Sequence, residues 1–243
     1  MDGSKRQSWG SEAADATGPA RRIIVWDLPV RVFHWAVVAL IGFSWWAAEH
    51  DRLDLHKLSG YAILTLVLFR VFWGVAGSAT ARFSSFVRGP REVLAYARHF
   101  FSREPSHWIG HNPMGALSVL GLLALLLVQT ATGLCASDED GLESGPLARL
   151  VGYDMSRTLS KVHGTTFTLI QVLVVLHVAV ILFYAFYKRE DLIGPMVRGS
   201  KTISREKAAA GAAPPQAPLG LALVLLIAAA AAVWAIVALL PRL

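Results

Sequence analysis

The segment that decides the fold is HGTTFTLIQVLVVLHVAVILFYAFY, residues 163–187. It contains no Asp, Glu, Lys or Arg, and it exceeds the roughly 20 apolar residues that a helix needs to cross a bilayer. Its two histidines, His163 and His177, are 14 positions apart. At about 100° and 1.5 Å per residue, they share one helix face and lie roughly 21 Å apart along the axis. The segment therefore predicts one membrane helix that presents an imidazole at each of two depths.

Four further apolar segments surround this helix. The chain has 243 residues, of which 54% are hydrophobic and 16% charged, with a mean hydropathy of +0.48. These values predict an all-α integral membrane protein, because soluble domains carry about 25% charged residues. We expect a cytoplasmic disordered tail (1–22), a four-helix transmembrane domain (23–200, spans 30–48, 55–76, 113–135 and 163–187), a linker (201–218) and a fifth transmembrane helix (219–240).

The composition also excludes several kinds of site. One cysteine, Cys135, cannot form an internal disulfide framework, a cysteine zinc site or an iron–sulfur cluster. It also cannot form the C-x-x-C-H motif that attaches haem covalently. The net charge of +6 comes from basic residues that lie between apolar runs, so membrane lipid rather than nucleic acid is the expected partner.

Basic residues concentrate in alternate loops, and this bias sets orientation by the positive-inside rule. The basic loops carry Lys5, Arg6, Arg21, Arg22 and Arg31; Arg82, Arg88, Arg91, Arg98 and Arg103; and Lys188, Arg189, Arg198, Lys201, Arg205 and Lys207. The other two loops carry Glu49, Asp51 and Asp54, and Asp138, Glu139, Asp140 and Glu143. We therefore expect a multi-pass protein of the bacterial cytoplasmic membrane, with a cytoplasmic N-terminus and a periplasmic C-terminus.

Two more histidines match the depths of the first pair. His34 lies near the cytoplasmic start of the first span, and His56 lies near the outer start of the second. Depth pairs His34 with His177 and His56 with His163, and neutral imidazoles in such pairs are suited to ligating two haem irons. The alternative is that each imidazole only hydrogen-bonds a neighbouring helix. His50, at the exit of the first span, competes with His56 for the outer position and is more typical of an interfacial residue.

Arg70 and His111 are the other candidate cofactor-binding residues. Arg70 follows His56 by 14 positions and therefore shares its helix face at the inner level. It could bind a haem propionate, or it could extend to the cytoplasmic interface as a snorkelling side chain. His111 precedes a predicted helix start at Pro113, where it could cap the helix, contact a propionate or line a quinone pocket.

Several motifs resemble those of the bacterial cytochrome b561 family, which is related to the b-type subunits of nickel–iron hydrogenases and formate dehydrogenases. They are the segment from Trp26 to Trp35 (WDLPVRVFHW), HKLSGY at 56–61 with FRVFWG at 69–74, GHNPMGA at 110–116, QTATGL at 129–134, and the His163/His177 pair. The resemblance covers about residues 25–199, and its specificity comes from the motifs together.

The resemblance implies a four-helix bundle with two haem b groups, each bound by two of His34, His56, His163 and His177. It implies electron transfer between quinone or quinol and a periplasmic-side partner, either cytochrome c or an oxidoreductase subunit. The fifth span is expected to be a packing or partner-docking helix. Two other functions stay open: a haem-containing anchor or assembly subunit for a periplasmic oxidoreductase, and a proton-coupled transporter with histidine relays.

Overall fold

The computed structural model describes residues 21–103, 108, 110–138, 140, 143–203 and 214–240. Most of the predicted tail (1–20), part of the predicted linker (204–213) and residues 241–243 lie outside the described residues, as do the loop residues Lys5, Arg6, Glu139, Arg205 and Lys207. The elements are β1 (Arg21–Ile24), α1 (Leu28–Glu49), α2 (Leu53–Ala76), α3 (Phe83–Phe86), α4 (Pro90–Arg98), α5 (Pro113–Cys135), α6 (Ala148–Val151), α7 (Tyr153–Phe186), α8 (Ile193–Arg198), β2 (Ser200–Ile203) and α9 (Leu219–Ala238).

Five helices are long and apolar enough to cross a membrane: α1, α2, α5, α7 and α9. The predicted all-α membrane fold is confirmed. Two of the helices begin at clear sequence signals. The Asp27 carboxylate accepts a hydrogen bond from the Val30 amide at 2.8 Å, and the Asn112 side chain accepts one from the Gly115 amide at 2.8 Å. Each cap is followed closely by a proline, which is pre-organised for the first helical turn.

The fourth spanning helix, α7, begins ten residues earlier than the predicted start at residue 163. The additional turns are polar, and they bond to the last residue of α5 and to the segment that follows it. The Ser156 hydroxyl donates to the Cys135 carbonyl at 2.7 Å, and the Ser160 hydroxyl donates to the Ser137 carbonyl at 2.7 Å. Hydropathy misses these turns because tertiary hydrogen bonds, rather than apolar burial, hold them.

The loops of the helices fall at two ends. We call the described part of 21–27, 77–112 and 187–218 the basic end, and the described part of 50–52 and 136–152 the acidic end. At the basic end β1 and β2 form an antiparallel pair in which Ile24 faces Ser200. The amides of Val25 and Trp26 both donate to the Gly199 carbonyl, at 2.9 and 3.0 Å. Residues 21–22 and 201–203, assigned by the sequence to the tail and the linker, therefore belong to this structured end.

The spanning helices pack in two layers that leave a cleft between them. The most extensive contacts are those of α5 with α7 and of α1 with α2, and α2 joins the layers through α5. Within the described residues, α7 makes at most a few close backbone contacts with α1 or α2. Since α1 and α2 carry His34 and His56 and α7 carries their predicted partners, the cleft runs between the helices that the sequence paired.

The fifth spanning helix, α9, lies against α2. Ala229 and Val233 are its buried residues. The segment before it is tied to the basic end, because the Ala217 amide donates to the Ser78 hydroxyl at 2.9 Å and the Ala79 amide donates to the Pro215 carbonyl at 3.1 Å. The helix therefore extends the α1–α2 layer.

Candidate functional site

The structure brings His56 and His163 together near the acidic end. His56 is the fourth residue of α2, and its ring lies opposite that of His163 on α7. The ring centroids are 6.0 Å apart and the ring planes are nearly perpendicular, at 82°. Because the backbones of α2 and α7 have few close contacts, the two imidazoles face each other across the cleft.

Backbone carbonyls hold the Nδ1 atoms of both rings. Nδ1 of His56 donates to the Ser44 carbonyl at 3.0 Å, with the Ser44 hydroxyl at 3.1 Å. Nδ1 of His163 donates to the Gln129 carbonyl at 2.8 Å, with the Thr132 hydroxyl at 3.3 Å. A carbonyl can only accept, so these contacts put the proton on Nδ1 and leave the lone pair on Nε2. Metal-bound histidines have this arrangement.

The Nε2 atom of His163 has one further contact. The side-chain amide of Gln129 donates to it at 3.0 Å, while the carbonyl oxygen of the same amide is buried with no hydrogen-bond partner in the described part of the chain. A metal ion bound to Nε2 would take the place of the amide hydrogen bond. Gln129 therefore touches the candidate site through both its main chain and its side chain.

Glycines make room around this pair. A cavity of about 270 Å³ is lined by His56, His163 and three glycines, Gly60, Gly133 and Gly164, from three different helices. A Cβ atom at Gly133 would lie 2.8 Å from Cε1 of His163, so only glycine lets the ring sit there. Gly60 and Gly164 have no other heavy atom within 4 Å of a Cβ position, which leaves open space beside the two rings.

His163 lies farther along its helix than the sequence predicts. The prediction puts it near the outer surface, at the start of its span, but α7 begins at Tyr153. His163 is therefore roughly 15 Å along the helix, level with Gln129 and about two turns before the end of α5.

The basic-end pair, His34 and His177, is held differently. The two side chains are close enough to interact electrostatically across the cleft between α1 and α7. Among the described residues, the one group that Nδ1 of His177 contacts is the Ser118 hydroxyl, at 3.3 Å. Nδ1 of His34 is buried and makes no hydrogen bond within the residues that the structure describes. Trp35 packs edge-on against the His34 ring at 4.8 Å.

Arg70 is buried, with 3% of its surface exposed, and does not snorkel to solvent. One guanidinium nitrogen, Nη2, donates to the Ala81 carbonyl at 3.1 Å, and the group lies 5.1 Å from the centre of the Phe83 ring. The other, Nη1, is buried and has no hydrogen-bond partner among the described residues. A buried donor of this kind suits an anionic or carbonyl ligand.

His111 lies beside this arginine. Its ring packs against Trp26 at 4.4 Å and Phe86 at 4.6 Å. Burial, together with the Arg70 charge and the His177 ring, lowers the pKa of His111 to about 3, so the ring is neutral at physiological pH. Its Nδ1 is buried and has no hydrogen-bond partner in the part of the chain described. The cap of α5 comes instead from Asn112.

His50 does not reach the cavity that His56 lines. It is exposed, its Nδ1 donates to the Trp46 carbonyl at 2.8 Å, and its ring packs against the Trp46 ring at 5.0 Å. This is the interfacial environment that the sequence favoured for His50.

Sequence reasoning missed the residues that hold the candidate ligands. They are Ser44, Ser118, Gln129 and Thr132. The available signal was polarity, because each is a polar residue inside an otherwise apolar span. Gln129 in particular has the bulkiest polar side chain of α5. Their partners could not be read from the sequence, since each contact joins two helices.

The donor sets identify the kind of ligand that fits. No group of three or more His, Cys, Asp or Glu side chains suited to a metal ion occurs among the described residues. Two facing imidazoles are too few to hold a bare ion, but they complete the coordination of an iron that brings its own macrocycle. The cleft, the glycines and the carbonyl-held rings therefore fit haem better than a free metal.

Comparisons with known proteins agree with this fit. Residues 25–199 match the family model of prokaryotic cytochrome b561. The chain is 25% identical over 224 residues to a probable Ni/Fe-hydrogenase B-type cytochrome subunit of Cupriavidus necator, covering 79% of this chain and 92% of that protein. It is 24% identical over 228 residues to the protein of that name from Rhizobium leguminosarum bv. viciae, covering 78% and 94%.

No solved structure matches the chain significantly. The family match spans all four helices that carry or support the paired histidines, and the five spanning helices give a multi-pass architecture. The chain therefore belongs to the prokaryotic cytochrome b561 family and is a haem b cytochrome of the bacterial inner membrane that acts in electron transfer.

Proposed function

We propose that the chain carries electrons across the membrane through two haem b groups. His56 and His163 bind one group near the acidic end, and His34 and His177 bind the other near the basic end. The observation that carries the proposal is the first pair, whose rings lie 6.0 Å apart with both Nδ1 atoms bonded to backbone carbonyls. The spacing of His163 and His177 on α7 then gives the second group its depth.

When bound, haem b supplies an iron that gains or loses one electron at a time. The residues of this chain position and insulate it. Ser44 and Gln129 fix the orientation of the acidic-end ligands, Gly60 and Gly164 leave space beside them, and apolar residues such as Ile63 and Ile170 line the cavity. Excluding water keeps the local dielectric constant low, which makes nearby charges effective in setting the potential.

At the basic end, Arg70 and His111 are proposed to contact a haem propionate and a quinone. The guanidinium Nη1 and the imidazole Nδ1 are both buried without hydrogen-bond partners in the described chain. A cationic donor suits a carboxylate, and a neutral imidazole suits a quinone oxygen if its Nδ1 carries the proton. The quinone pool is therefore the proposed partner at this end.

The remaining partner is proposed to act at the acidic end. The alternation of basic and acidic loops supports a cytoplasmic basic end and a periplasmic acidic end. The relatives named above are probable Ni/Fe-hydrogenase B-type cytochrome subunits. By analogy, the periplasmic partner of this chain is an oxidoreductase subunit or a cytochrome c.

The number of haem groups tests the proposal directly. A pyridine haemochrome assay on the purified protein is expected to give two haem b groups per chain in the wild type. His163→Ala and His177→Ala should each reduce the content to one, because each removes one ligand from a different pair.

His50→Ala is the matched control, since within the described part of the chain this histidine hydrogen-bonds to Trp46, one turn earlier in its own helix. It should leave two haem groups. One haem in the wild type, or no loss in either ligand variant, would contradict the proposal.

A further inference from the structure

The four candidate ligands differ in what their Nδ1 atoms contact. Both acidic-end rings, His56 and His163, donate to main-chain carbonyls at 3.0 and 2.8 Å. At the basic end, His177 has only a hydroxyl at 3.3 Å, and His34 has no partner among the described residues. One pair is therefore firmly hydrogen-bonded and the other is not.

This difference affects the electron density at the iron. A hydrogen bond from Nδ1–H to a carbonyl raises the basicity of the imidazole, so Nε2 becomes a stronger donor. A stronger donor stabilises the oxidised iron relative to the reduced iron, and it lowers the midpoint potential. Hydrogen bonding around the ligands is one of the principal means by which a protein adjusts haem potentials.

The charged groups also differ between the two ends. At the acidic end the cavity is lined by Glu49 and Lys57, and Lys57 is paired with Glu143 at 2.6 Å, so the carboxylates are in excess. At the basic end the buried guanidinium of Arg70 interacts electrostatically with the buried Asp27 carboxylate and with His111, and His111 also interacts with His177. A buried cation favours the reduced state of a neighbouring iron, and a carboxylate favours the oxidised state.

We propose that these contacts set the midpoint potential of the acidic-end haem below that of the basic-end haem, with Ser44, Gln129 and Ser118 as positioning residues. The inference rests on the proposed two-haem function.

The test is a spectroscopic redox titration of the full haem-loaded chain. The wild type should show two one-electron waves. His177→Ala keeps the acidic-end ligands and should retain the lower wave, whereas His163→Ala should retain the higher wave. A single shared potential, or the reverse assignment, would overturn the inference.

A milder pair of variants provides a second test in case a ligand variant does not fold. Ser44→Ala removes the hydroxyl beside His56 and should raise only the lower midpoint, which narrows the separation. Ser118→Ala removes the hydroxyl beside His177 and should raise only the higher midpoint, which widens it. If Ser44→Ala moved the higher wave, or neither serine variant moved its wave, the assignment would be wrong.

The pyridine haemochrome content of the same samples distinguishes two kinds of failure. Two haem groups with equal or reversed potentials would overturn this inference and leave the proposed function intact. A wild-type content of one would overturn the proposed function itself.

Discussion

Each histidine pair has one member on the same face of α7, but the two pairs have different surroundings. Around His56 and His163 the protein provides carbonyl acceptors, three glycines and a well-defined cavity. Around His34 and His177 it provides a buried arginine, a neutral histidine and unpartnered ring nitrogens among the described residues. Equal ligand types therefore do not make equal sites, because the groups bonded to the ligands differ.

The largest expected effect comes from filling the space beside one pair only. Gly133→Leu puts a Cβ atom at a position 2.8 Å from Cε1 of His163, so the ring must move from its carbonyl acceptor. We expect the haem content to fall from two groups to one, with loss of the lower redox wave. The pyridine haemochrome assay and a redox titration measure both effects.

Gly42→Leu is the matched control for Gly133→Leu. A Cβ atom at Gly42 has no neighbour within 4 Å, and Gly42 does not line the cavity. This variant should keep both haem groups. If Gly133→Leu also kept both haem groups, the acidic-end site would not lie between His56 and His163.

A smaller effect is expected from removing the buried cation at the other pair. Arg70→Leu should lower the higher midpoint potential and leave the lower one nearly unchanged. The separation between the two midpoint potentials should therefore become smaller. It should also destabilise the protein by about 1–3 kcal/mol, because the Ala81 carbonyl loses a donor. A redox titration and thermal unfolding in detergent measure these changes.

Arg91→Leu changes an exposed arginine at the same end of the bundle and serves as the control. It should shift neither wave. If Arg70→Leu shifted the lower wave instead, the arginine charge would act on the His56/His163 site, and the expectation would be wrong.

The smallest effect is expected at the acidic surface. Lys57→Ala breaks the ion pair with Glu143, in which the two side chains are 33% and 49% exposed. Partly exposed pairs contribute about 0–1 kcal/mol, so unfolding should change little. The unpaired Glu143 carboxylate should slightly decrease the midpoint potential of the acidic-end haem, and high salt should abolish this shift. A salt-independent shift, or a shift of the higher wave, would contradict this electrostatic explanation.

Much of the fold could be predicted because membrane insertion is a local property of the chain. The predicted third span coincides with α5, and the first, second and fifth differ from α1, α2 and α9 by no more than two residues at either end. The start of α7 at Tyr153 could not be predicted in the same way, because Ser156 and Ser160 are held by tertiary bonds. The strand pair β1–β2 was missed for the same reason, since it joins residues about 180 positions apart.

The sequence predicted which histidines belong to the candidate site and at which of the two membrane depths each one lies. A histidine inside an apolar span is costly, so His34, His56, His163 and His177 stand out without any structure. Their bonding partners do not stand out, because a serine or glutamine in a span has several possible neighbours. The sequence also left the surroundings of Arg70 open between snorkelling and burial, and the structure shows burial.

The sequence by itself determined the five spans, their alternating loop charges and the two levels of histidine. These depend on hydropathy and on the fixed rise of a helix, which are properties of consecutive residues. Only the tertiary structure decided that α7 stands apart from α1 and α2, and that carbonyls of α1 and α5 hold the rings of one pair. The rotation and spacing of packed helices follow from side-chain contacts between distant segments, and no local pattern encodes them.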